Sequence, residues 1–157
     1  MVKKNIRQLT VCIVLILLNL SFIWGNSLLP GEDSSELSGF LTECLEEVFG
    51  EAGPGIEHVI RKMAHFSEFA CLGLLLTWMF QLLSQKGIHS FTLPLLCGSL
   101  TALLDETLQK LSPGRDPNVI DVWIDTAGVA AGILILLLCF WLWKKRRNNI
   151  SMEETKL

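Results

Sequence analysis

Between Leu104 and Gly132 the chain sets Asp105, Glu106, Gln109, Arg115, Asp121 and Asp125 between and inside two strongly apolar runs. An ionised side chain at the centre of a bilayer costs about 2.5–3.5 kcal/mol on insertion scales, and less near the interface. A chain carrying such acids has to fold so that they face protein partners rather than hydrocarbon. Half of the 157 residues are apolar, and a mean hydropathy of +0.45 puts the membrane class first.

Four apolar runs reach bilayer-spanning length, at about 20 residues per crossing. They predict an all-α integral membrane four-helix bundle, organised as one domain, with spans over residues 6–24, 59–83, 91–111 and 119–143. The first run follows a basic start but has no A-x-A-like cleavage site and is long for a signal peptide, so it reads as a retained span. Pro94 falls near the start of the third helix, where amides lack an intrahelical partner anyway. Ser112-Pro113-Gly114 breaks the chain before the fourth. Residues 26–57 form an acidic loop, within which Leu37, Phe40, Leu41, Cys44, Leu45, Val48 and Phe49 recur at helical spacing. That spacing predicts a short extracytoplasmic amphipathic helix resting on the spans. The polar tail, residues 144–157, is expected to be disordered.

Lys and Arg in the short flanks set orientation. Nine of them lie on the side of the two termini and the Lys86 turn, against Arg61, Lys62, Lys110 and Arg115 on the other. Both termini are therefore expected in the cytoplasm. The basic clusters abut apolar runs, which speaks against nucleic acid as a partner. Four of the five cysteines sit in apolar runs as small hydrophobes, so no disulfide is expected.

Counting helical rise places His65 and Glu68 of the second span, Asp105 and Glu106 of the third, and Asp125 of the fourth within one outer layer, with Gln109 and Asp121 at its edge. Faces also align. Arg61, His65 and Glu68 follow i, i+4, i+7; Asp105 and Gln109 follow i, i+4. Asp121, Asp125, Gly128 and Gly132 share a stripe whose small residues let another helix come close. The candidate binding residues are thus Arg61, Lys62, His65, Glu68, Asp105, Glu106, Gln109, Arg115, Asp121 and Asp125. For three of the polar residues a plainer reading competes: Lys62 and Lys110 as interfacial snorkellers, and Glu106 as an i, i+4 partner of Lys110.

Enzyme signatures are missing: no G-x-S-x-G, no H-E-x-x-H and no phosphate-cradling Gly-rich loop. His65-x-x-Glu68 offers two metal ligands on one face and aspartates could complete an oxygen-rich site, but that spacing is common by chance. No metal and no cofactor is expected.

The run Ile60 to Phe69 with Leu72-Gly73, the segment Asp105 to Gln109, the Pro113-Gly114-Arg115 turn and the stretch Asp121 to Gly128 with Gly132 resemble the signatures of the VanZ-like family. Asn26-Ser27 to Ser38 also resembles the Ser-rich stretch after that family's first span. The resemblance implies a small bacterial cell-membrane protein of the teicoplanin-resistance type, associated with lowered susceptibility to glycopeptide and lipoglycopeptide antibiotics. Two positions depart from the family pattern: Phe69 stands where Tyr is frequent, and Asp125 where Asn is frequent.

The leading expectation is an outward polar pocket that engages an envelope molecule, either a lipid-linked peptidoglycan precursor or the antibiotic. Arg61 and Arg115 would meet its anionic groups, Asp105, Asp121 and Asp125 its amines or hydroxyls, and His65 would link the two sets. Three other readings fit the same residues. One is an intramembrane enzyme using a carboxylate pair on a lipid-linked precursor. Another is a proton-coupled carrier, weakened because the acids stop at one layer. The third is a buried salt-bridge network that only knits the helices together.

Overall fold

The computed structural model describes residues 2–30, 56–83, 87–115 and 118–154. They form four helices and no strand: α1 (Val2–Leu28), α2 (Ile56–Leu82), α3 (His89–Gln109) and α4 (Val119–Glu154). Each contains a segment long and apolar enough to cross a membrane: Asn5–Leu28, Val59–Leu82, His89–Gln109 and Val119–Asn149. In hydrocarbon every backbone amide and carbonyl has to be satisfied within its own segment, so continuous helices are what such runs must form. The expected amphipathic helix of the first loop lies outside the described residues, as does Cys44.

Helix α2 is the central element: it packs on all three others, and its interface with α4 is the most extensive in the bundle. Glycines explain the closeness. A Cβ at Gly128 or Gly132 of α4 would run into the carbonyl oxygens of Phe66 and Ala70, and one at Gly73 of α2 into that of Val129. At Gly98 of α3 a Cβ would meet the Val129 side chain, so Val129 fills the seam where three helices meet. Lipid tails give apolar side chains no reason to leave them, so close backbone approach and packing are what hold membrane helices together. Around this seam Phe69, Leu72, Leu76, Ala102 and Ile133 are buried, joined by Cys12, Ile16 and Ile23 from α1. Leu17, Leu18 and Phe22 of α1 and Leu134, Ile135 and Leu138 of α4 are exposed. In water they would be a liability; against lipid they are the outer surface.

Three expectations at the helix ends are corrected. Helix α1 runs on through Asn26 and Ser27 to Leu28, so those two residues belong to the bundle and not to the loop. Pro94 lies in the second turn of α3, which starts at His89, and therefore costs the bond its amide would have made to Ser90; it is tolerated as a buried residue of the bundle. Beyond the apolar run α4 does not end at Trp143 but stays helical to Glu154. On that extension Lys145 lies 5.2 Å over the Trp141 ring and Arg147 5.1 Å over Trp143. These cation–π pairs one turn apart favour the helical register. The four described cysteines are free thiols, in keeping with the expectation of no bridge.

Candidate functional site

At the end of the bundle where α1 and α3 finish and α2 and α4 begin, a cavity of about 240 Å³ opens. Helix α2 contributes Arg61 and His65, one turn apart on the expected stripe, together with Lys62; α3 contributes Glu106 and Gln109; α4 contributes Asp121, Ile124 and Asp125. Gly114, Arg115 and Asn118 close it from the connection between α3 and α4. Eight of the ten residues singled out from sequence line this one space.

The other two, Glu68 and Asp105, are not part of the lining and sit behind it. Asp105 is fully buried and accepts a 3.2 Å bond from Gln109 Nε2, the i, i+4 pair expected from spacing. Glu68 Oε1 accepts a 3.0 Å bond from Asn26 Nδ2 at the end of α1, while its Oε2 lies 4.0 Å from His65 Nδ1. Helix α1 thus supplies a partner that depth counting on the other three spans had missed. The signal was present in Asn26-Ser27, polar residues directly after an apolar run, but it pointed to a loop.

Two plainer readings are overturned. Glu106 does not simply pair along its own helix: it is 6% exposed, and its Oε2 accepts the Asn118 backbone amide at 3.0 Å. Asn118 in turn caps α4, its Oδ1 accepting the Ile120 amide at 3.0 Å. The Glu106 carboxylate therefore stands at the amide-rich, positive end of α4, where an anion is favoured. Nor is Lys62 a snorkeller, because its Nζ pairs with Asp121 Oδ1 at 2.5 Å, tying α2 to α4. Lys110, by contrast, is exposed and outside the site.

Arg115 holds the rim. Its Nε donates to the Leu29 carbonyl at 3.3 Å and an Nη2 proton to the Asn26 carbonyl at 2.8 Å, and Ser112 Oγ donates to the Ser27 carbonyl at 3.0 Å. The turn containing Gly114, at φ +74°, is thereby fastened to the last carbonyls of α1, which have no partner within their own helix. Burial presses the Arg115 pKa below its ordinary value, and the neighbouring Arg61 adds to this while Asp105 and Glu106 oppose it. The guanidinium remains a cation. Two arginines close enough to repel each other, set beside carboxylates in a concave space, can receive a ligand carrying both anionic and polar groups.

Four membrane-length helices make this a multi-pass membrane protein. The family model for VanZ/LLP1 matches residues 9–141, and the chain belongs to that family. No curated protein and no solved structure matches it.

Proposed function

We propose that this VanZ-family protein lies in the bacterial cell membrane with both termini in the cytoplasm, and that its polar cavity faces outward and engages the head group of an envelope molecule. The single observation that carries the reading is the convergence of Arg61, Arg115 and His65 with Glu106, Asp121 and Asp125 on one cavity at one end of the bundle. Size narrows the ligand. At about 30 Å³ of liquid volume per water, 240 Å³ holds roughly eight waters. That suits a phosphate, a carboxylate or an amino-acid-sized group, a portion that a lipid-linked peptidoglycan precursor can offer while the rest of its head group stays outside the cavity. Lowered susceptibility to glycopeptides and lipoglycopeptides would then follow from altered handling of the precursor.

A null strain complemented with wild type, Arg61→Gln or His65→Ala, tested across glycopeptides and lipoglycopeptides, checks this. Wild type is expected to raise the inhibitory concentration, and both variants to lose that gain at unchanged abundance in the membrane. Equal susceptibility of all strains would remove the resistance role. Disappearance of both variants from the membrane would instead favour a network whose work is to hold the helices.

A further inference from the structure

At the inner wall of the cavity, one atom each from His65 and Asp125, which line it, and from Asp105 behind them, on α2, α4 and α3, lie within 4.8 Å of one another. Asp105 is 0% and Asp125 2% exposed. Asp105 Oδ1 and His65 Nδ1 are buried and make no hydrogen bond of good geometry among the described residues, although Gln109 donates to the other carboxylate oxygen of Asp105 and the Ser27 hydroxyl lies beside its carboxylate. A buried acceptor left without a donor is costly, and more so in a bilayer. Charge sharpens the point. The layer holds five described carboxylates, Glu68, Asp105, Glu106, Asp121 and Asp125, against the three cations Arg61, Lys62 and Arg115. Lys62 is committed to Asp121, so with all five ionised an excess of two negative charges would fall on the inner acids.

We propose that His65, Asp105 and Asp125 bind one divalent transition-metal ion, zinc or manganese. Two positive charges cancel the excess, and the orphaned carboxylate oxygen gains a partner. An imidazole among the ligands suits zinc and argues against magnesium or calcium, which take all-oxygen shells, while two carboxylates keep manganese within range. Ligand atoms on one ion at about 2.1 Å can stand no more than about 4.2 Å apart. Three ligand atoms around one tetrahedral ion stand about 3.4 Å apart, so a triangle within 4.8 Å closes by drawing its corners together by up to about 1.4 Å, shared between carboxylate and imidazole rotation. Glu68 stands where a supporting carboxylate belongs: its free Oε2 faces His65 Nδ1 at 4.0 Å while Asn26 holds its other oxygen. Drawn in from 4.0 Å to hydrogen-bonding distance, such a partner accepts a bond from the N–H of the ring nitrogen that does not bind metal and orients the ring. Three protein ligands leave coordination positions toward the cavity. That an anionic head group completes them rests on the function proposed above; the metal site does not.

The test uses full-length protein in detergent, stripped with chelator, equilibrated with Zn²⁺ or Mn²⁺ alone, and passed through gel filtration before elemental analysis. Wild type and Lys110→Gln, an exposed position outside the site, are expected to retain one ion per chain. His65→Ala, Asp105→Asn and Asp125→Asn are expected to bind at least tenfold more weakly. A melting curve of wild type with and without Zn²⁺ needs no variant: an ion bound to the folded state alone raises the melting temperature in proportion to its occupancy. Metal-free wild type, an unchanged melting temperature, or undiminished binding by all three ligand variants would overturn the proposal. Because no envelope molecule enters the assay, its failure leaves the cavity reading standing, and a negative susceptibility panel leaves the metal site standing.

Discussion

Arg115 shows how one side chain can serve structure and site together. From sequence it reads as an anion contact beside a turn; in the fold two of its donors close the end of α1 through Asn26 and Leu29. Lysine keeps the charge but has no planar fork, so it cannot reach both carbonyls in the same way. Arg115→Lys is therefore expected to lose one of the two hydrogen bonds, worth about 1–2 kcal/mol. It should melt below wild type in detergent while retaining part of any anion affinity. A Lys variant as stable as wild type would mean that the bonds to α1 contribute nothing, leaving Arg115 as a ligand contact alone. The bonds that would reveal this role span 86 and 89 residues. No local pattern announces such a contact, which is why the rim was legible as a turn and not as a clasp. The competing reading of Glu106 as a Lys110 partner fails for a related reason: periodicity counts faces on a straight helix, whereas Glu106 is turned to use by the arrival of α4's first amides.

At the scale of elements, the glycine seam decides how near α2 and α4 come, and so how tightly Lys62, His65, Asp121 and Asp125 converge. Gly132→Ala places a methyl group against the Ala70 carbonyl, and the helices can accept it only by moving apart. Overpacking of this kind costs about 1–3 kcal/mol. Gly25 of α1 is the internal control, since a Cβ there meets nothing within 4 Å and alanine is the better helix former. Thermal melting in detergent should therefore rank Gly132→Ala below wild type and Gly25→Ala level with it or above. Equal melting of the two variants would sink the argument from backbone contact. This seam was readable in advance, because Asp121, Asp125, Gly128 and Gly132 stand at 3.6-residue periodicity and only one face of a helix can meet a neighbour. The ends of the helices were not. Asn26 and Ser27 carry no apolar signal, and the tryptophan–cation pairs that favour α4 beyond Trp143 lie in sequence that hydropathy alone scores as tail.

The whole molecule has two unlike ends. At one, acids and cations from α2, α3, α4 and the α3–α4 connection are gathered around a cavity; at the other, α4 carries Lys144, Lys145, Arg146 and Arg147 in an exposed row, and the sequence adds Lys3, Lys4 and Arg7 at the start of α1. Lys and Arg near short flanks stay in the cytoplasm. The cations at the cavity end weigh less in that balance, because Lys62 is paired with Asp121 and Arg115 is bound to α1. The proposed orientation follows, and with it the claim that the cavity meets molecules outside the cell. In a background with the five native cysteines replaced, single cysteines at Pro113 and Asn149 mark the two ends, both at exposed positions. A membrane-impermeant thiol reagent added to intact cells is expected to label Pro113→Cys at once and Asn149→Cys only after the membrane is opened. The reverse pattern would put the cavity in the cytoplasm, where an outward-facing precursor could not reach it, while leaving the bundle, the glycine seam and the convergence of His65, Asp105 and Asp125 as they are.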